Sequence, residues 1–175
     1  MKFLLLFAAL FPIFSIAQTS VEPNFFDLIS EKSMAFIEKT DFEEFCSPTL
    51  KLINDYRKQN GLKPVVLDPE MVTFSQGYVV QLLENTVFEH SDLNKGVYTL
   101  ENLFQSMGFG GFLSIDQEWC NALPEMIFST WKKSKGHNAN MLNPDITKVG
   151  MSIQIKTKGR VGSYSYRLNA IFVGL

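Results

Sequence analysis

Val149-Gly150-Met151-Ser152-Ile153-Gln154-Ile155, answered by Tyr164-Ser165-Tyr166-Arg167-Leu168-Asn169-Ala170-Ile171-Phe172, is the stretch that decides the fold. Val149, Met151, Ile153 and Ile155 alternate with Gly150, Ser152 and Gln154, while Tyr164, Tyr166, Leu168, Ala170 and Phe172 alternate with polar or smaller residues. A period of two marks a strand with one face on a core, so the chain ends in an antiparallel strand pair. Lys156 to Gly162, with two glycines and three basic residues, is read as the exposed hairpin turn between them.

Upstream of this pair the signals are helical. Ser47-Pro48 reads as an N-cap with proline at the first helical position, and Asn60-Gly61 as the matching stop. Leu52, Ile53, Tyr56 and Gln59 share the inner side of that helix, with Asn54, Asp55, Arg57 and Lys58 outward or at its edge. Asp68-Pro69-Glu70 opens a second helix whose apolar stripe is Met71, Ser75, Tyr78, Val79, Leu82 and Leu83. Gly77 in its middle costs about 1 kcal/mol against alanine, which predicts close approach of another element. Glu84 to Ile115 has no sustained period and reads as a long loop, with Glu101-Asn102-Leu103 as its one firm point. Asp116 to Ser134 is helical again; Pro124 kinks or restarts it, and Phe128 and Trp131 face the core. Helices first and an antiparallel sheet last predict an α+β fold and argue against parallel βαβ winding.

The first residues stand apart. Lys2, the apolar run Phe3 to Phe14, and Ser15-Ile16-Ala17 have the form of a signal peptide spanning residues 1–17, cut before Gln18. Phe3 to Ala17 is shorter than the roughly 20 residues of a membrane span, and no later stretch is long and apolar enough. The expected destination is the periplasm or the exterior. Residues 18–45 form an extension in which Phe26, Ile29, Ser33, Phe36 and Ile37 follow helical spacing; it is either one packed helix or a spacer. Residues 46–175 form the domain.

The formal net charge is −2, and loss of Lys2 makes it more negative, which argues against a nucleic-acid partner. Cys46 and Cys120 can form a disulfide in an oxidising compartment, or they are two buried thiols that pack.

Chemistry concentrates on two histidines, His90 in Phe88-Glu89-His90-Ser91-Asp92 and His137 in Trp131-Lys132-Lys133-Ser134-Lys135-Gly136-His137, each expected in a polar turn. Imidazole titrates near neutral pH and binds metals readily, so two of them with a carboxylate can make a reactive cleft. Zinc can be held by His90, His137 and Glu101 with water completing a tetrahedron. Glu101 can instead accept backbone hydrogen bonds and hold its segment in place. Asn102 is suited to tying backbone, and Ser134 lacks the third group that would make it a nucleophile beside His137. Phe104, Phe109 and Phe112 form either an exposed apolar rim or part of the core.

Asn54-x-x-Arg57 with Gly61-Leu62, Phe88-x-His90-Ser91, Glu101-Asn102-Leu103, Trp131-x-x-Ser134-x-Gly136-His137 and the strand start Val149-Gly150 occur in an order that resembles the CAP superfamily. These are the cysteine-rich secretory, antigen 5 and pathogenesis-related 1 proteins, also called the SCP domain. The resemblance runs from about Cys46 to Leu175 and is similar to short bacterial members. It implies an α-β-α sandwich with an open cleft of two histidines and two acids. His90, Glu101 and His137 match three of the four; Ser134 stands where many eukaryotic members carry glutamate. It also implies binding of a divalent metal such as Zn2+, a small ligand or peptide, and in some members a lipid or sterol. The expected function is a binding module without turnover, with a metal-dependent hydrolase or a lipid carrier as the alternatives.

Overall fold

The computed structural model describes residues 35–85, 88–91, 98–109, 116–160 and 163–175. Residues 35–39 are helical and lead through a 3-10 turn, Phe42–Phe45, into α1, Cys46–Gln59. Then follow β1 (Val66–Leu67), α2 (Pro69–Glu84), β2 (Leu100–Phe109), α3 (Gln117–Lys133), α4 (Lys135–Met141), β3 (Lys148–Arg160) and β4 (Ser163–Gly174). The strands form one sheet in the order β1-β3-β4-β2. It is antiparallel except at its edge, where β1 runs parallel to β3.

Alternation along the strands builds a core on both faces of this sheet. Val149, Met151, Ile153, Leu168, Ala170 and Phe172 pack with Ile53 of α1 and with Leu123, Ile127 and Trp131 of α3. Leu103, Ile171 and Val173 point the other way, onto Met71, Val79 and Leu82 of α2. The result is the expected α-β-α sandwich. Among the described residues no helix is long and apolar enough to cross a membrane.

Several local expectations change. The 3-10 turn, capped by Asp41 accepting from the Glu43 N–H at 2.9 Å, runs straight into α1, so Ser47 does not cap that helix. Gly61, at φ 73°, ends it as expected, because only a residue without Cβ takes this backbone freely. Asp68 caps α2 by accepting from Glu70 and Met71, and Asp116 caps α3 by accepting from Trp119. Helix α3 runs continuously past the buried Pro124. The expected turn at 156–162 is largely strand, since β3 extends to Arg160 and β4 begins at Ser163. Ile37 and Phe42, before the expected domain start, belong to the main core, whereas residues 1–34 lie outside the described residues.

Arg57 and Asn54 are not outward. Arg57 is 1% exposed and donates to the carbonyls of Lys63, Met141, Asn143 and Ile146, tying α1 to the segment after α4. Asn54 donates to the Val65 carbonyl and accepts from the Val65 N–H, fixing the entry to β1. A planar fork and a paired donor and acceptor fit these backbone groups, which explains why the Asn54-x-x-Arg57 spacing goes with this fold.

The close approach expected at Gly77 is made elsewhere. A Cβ on Gly77 would meet open space, whereas one on Gly150 would lie 2.2 Å from the Met71 carbonyl oxygen, where α2 crosses β3. Of the two readings of Cys46 and Cys120, a disulfide or two packed thiols, the structure has the second: both are free and buried. Cys46 opens α1 and its thiol hydrogen-bonds the backbone at Ile153, whereas Cys120 sits in α3; both are absorbed by the apolar core. Burial pushes the Cys46 thiol up to about 12 and that of Cys120 to about 11.

Candidate functional site

The segment read as loop around Glu101 is strand β2, and this decides how the site is built. Leu100 and Phe104 face the α1 and α3 side, while Leu103 faces α2. Phe104 is therefore core, and the side chains of Phe109 and Phe112 lie outside the described residues. Trp131, fully buried, donates its indole N–H to the Leu103 carbonyl at 3.0 Å and fastens β2 to α3.

His137 lies on the short helix α4, not in a turn. Asn102, buried at 0% exposure, donates from Nδ2 to the His137 carbonyl at 3.0 Å and accepts at Oδ1 from Asn140 at 2.9 Å. Asn140 also donates to the Glu101 carbonyl at 3.0 Å. Asn102 thus ties backbone as expected, and the backbone it ties is that of the second histidine.

On the other side, His90 Nδ1 lies 2.8 Å from Glu101 Oε1. The His90 side chain is 59% exposed and that of Glu101 only 1%. Glu101 also accepts from the Ser91 N–H at 3.1 Å and from the Ser91 hydroxyl. Ser91 Oγ lies 2.6 Å from the Tyr98 hydroxyl, and Tyr98 packs on Phe74, which stacks on Tyr78. Tyr78 donates to the Glu89 carbonyl at 2.9 Å; burial, then the charges of Glu101 and Glu89, push its phenol up to about 12 and keep it a donor.

These two supports bring the histidine rings together, with 6.1 Å between their centroids. Partial burial, then the charge of His90, lower the pKa of His137 and favour its neutral form. His137 Nδ1 and Asn138 Oδ1 are buried without hydrogen-bond partners. Ser134 ends α3 and precedes α4; its carbonyl accepts from the Asn138 N–H, and its side chain caps neither helix.

Of the three residues expected to hold a metal, Glu101 meets His90 directly. Glu101 is buried behind His90 with both oxygens occupied, and among the described residues no group of three His, Cys, Asp or Glu side chains converges to hold a metal. Two imidazoles remain to face the site. A cation bound tetrahedrally by two histidine nitrogens at about 2.0–2.1 Å each would hold the ring centroids roughly 5 Å apart, so the observed 6.1 Å is wider than a closed two-histidine site by about an ångström. Ser91, Tyr98 and Asn140 belong to the site's support and were missed; Ser91, next to His90 in sequence, was the signal that could have revealed them.

An α-β-α sandwich carrying paired histidines between its β2 strand and a short helix is a defined class of protein. A model of the cysteine-rich secretory protein family (CAP) matches residues 50–173, and the chain belongs to this family. Over 107 residues it is 25% identical to the uncharacterised protein YkwD of Bacillus subtilis (strain 168), a match spanning 58% of this chain and 39% of that one. An outer surface protein from Borrelia burgdorferi has the same fold at TM-score 0.50 and 17% identity, over 77% of this chain and 95% of its own. The crystal structure of MpPR-1i matches at TM-score 0.50 and 14% identity, over 78% and 90% of the two chains.

Proposed function

We propose that this chain is an exported binding module whose two histidines hold a divalent cation, zinc by preference, and through that site a small ligand or a peptide, without covalent turnover. The observation that carries the reading is the pairing itself: two histidines distant in sequence stand 6.1 Å apart, with a carboxylate behind one of them. A carboxylate accepting from one nitrogen of a histidine leaves the other free as a ligand and raises its basicity. The lowered pKa of His137 supports metal binding too, because only neutral imidazole offers a lone pair. When bound, the cation would act as a Lewis acid toward the ligand. His90 and His137 would hold it, Glu101 would orient His90, and Asn102 would hold the backbone of His137 in place.

Binding is favoured over hydrolysis by the state of Glu101, whose oxygens are taken up by His90 and Ser91 and do not face the site as a base. Export is supported by the leader-like residues 1–17 and by a structural neighbour that is an outer surface protein.

Calorimetric titration with zinc tests the proposal. We expect one ion per chain at pH 7.5, weaker binding at pH 5.5 as imidazoles protonate, and loss of binding in His90→Ala and in His137→Ala. Equal binding by the wild type and both variants would refute it.

A further inference from the structure

Behind the histidines, Glu101 is held by Ser91, and Ser91 in turn meets Tyr98. Both Glu101 oxygens accept from Ser91, Oε1 from its N–H and Oε2 from its hydroxyl, and an oxygen that already accepts meets a further partner as an acceptor. The Ser91 N–H and His90 Nδ1–H therefore both donate to Oε1, and the single Ser91 hydroxyl proton goes to Oε2. That proton being used, Ser91 Oγ can only accept from Tyr98, 2.6 Å away. The chain of donors then runs one way, from Tyr98 O–H to Ser91, from Ser91 to Glu101, with His90 donating from the opposite side. Nothing in it can supply a proton to His90 Nε2.

We infer that Ser91, backed by Tyr98, is a positioning residue that clamps the Glu101 carboxylate and so fixes neutral His90 as the Nδ1–H tautomer, with its Nε2 lone pair turned to the site. The ligand class this selects is an electron-pair acceptor: a divalent cation, or a ligand group that donates a hydrogen bond. The inference rests on the binding reading for its consequence, but the tautomer itself does not need a metal.

The clamp has three features of a positioning device. Glu101 is all but fully buried, so water does not compete for its oxygens. Ser91 reaches it twice, from backbone and side chain, which fixes the carboxylate plane as well as its position. Tyr98 is itself 4% exposed and held against Phe74, so core packing sets the position of the hydroxyl that meets Ser91. His90, by contrast, is mostly exposed, and its ring would turn freely without this anchor.

The chain has two histidines, so the test is direct. Metal-free protein labelled with 15N at histidine, observed at pH 8 through two- and three-bond proton–nitrogen couplings, reports which ring nitrogen carries hydrogen. Wild type should show His90 with a protonated Nδ1 and a bare Nε2. Ser91→Ala should mix the two tautomers, Tyr98→Phe should do so more weakly, and Ser91→Thr should restore the wild-type pattern. Zinc affinity should fall roughly ten-fold or more in Ser91→Ala and recover in Ser91→Thr, the size usual for loss of a group that orients a metal ligand. A wild-type His90 protonated at Nε2, or a Ser91→Ala spectrum identical to wild type, would overturn the inference. Should Ser91→Ala fail to fold, Tyr98→Phe carries the same test, and an unchanged tautomer there with unchanged zinc affinity overturns it. A tautomer that responds as expected in a protein that binds no zinc would leave the clamp standing and remove the metal-binding proposal alone.

Discussion

Gly150 and Gly77 are the same residue in opposite surroundings, and they should respond oppositely to a methyl group. At Gly150 a Cβ would collide with the backbone of α2 at Met71, so Gly150→Ala should destabilise the fold by at least about 2 kcal/mol, as overpacking does. At Gly77 the space is open and the residue sits within a helix, so Gly77→Ala should stabilise by about 0.5–1 kcal/mol. Urea unfolding of both variants checks the pair of signs. His137 makes a second prediction at this scale. Its folded pKa lies below the ordinary 6.5, so the unfolded chain binds more protons than the native one around that pH. The stability it contributes is present above about pH 6.5 and is lost as pH falls through the window below it. Melting of the metal-free protein between pH 7.5 and 5 should show this decline, and His137→Gln should flatten it. The buried thiols supply a third. With pKa values pushed up to about 12 and about 11, Cys46 and Cys120 should resist iodoacetamide in the native protein and take two labels after denaturation without reductant. No label on the denatured chain would show that the two are bridged.

At the scale of elements, the parts of the fold legible in the sequence are those whose two faces differ. Helices α2 and α3 have capping aspartates and apolar stripes, and β3 and β4 alternate cleanly, so the sandwich could be anticipated from pattern. Strand β2 could not. Over Leu100–Phe104 both of its faces are buried, and two of the buried residues, Glu101 and Asn102, are polar because they serve neighbours and not the core, so the alternation disappears. Arg57 misleads for the same reason: a buried guanidinium bound to four carbonyls has the same letter as a solvated one. In the site, the histidines and Glu101 were readable from type and order, but the division of labour was not, because it depends on which nitrogen of His90 meets the carboxylate. The link between β2 and α4 is testable at this scale. Asn102→Ala removes the donor to the His137 carbonyl and the acceptor for Asn140, and should cost about 1–3 kcal/mol of stability. Hydrogen exchange should show protection lost in α4 while the amides of β3 and β4 keep theirs.

For the whole molecule, the sandwich acts as a rigid frame that brings together residues from two separate stretches of chain. Glu101 and Asn102 are consecutive on β2 and point to opposite faces of the sheet, yet one anchors His90 and the other holds the helix of His137. The strand is therefore the common reference for both halves of the site, and Trp131 fixes that strand to the core. The central claim is that the two imidazoles serve one bound ion. Its most direct test is a crystal soaked in zinc and measured on both sides of the zinc absorption edge. An anomalous peak is expected between the rings, about 2.0–2.1 Å from one nitrogen of His90 and one of His137, with Glu101 still bonded to His90 Nδ1. Zinc absent from that position, or bound there by Glu101 in place of either histidine, would contradict it.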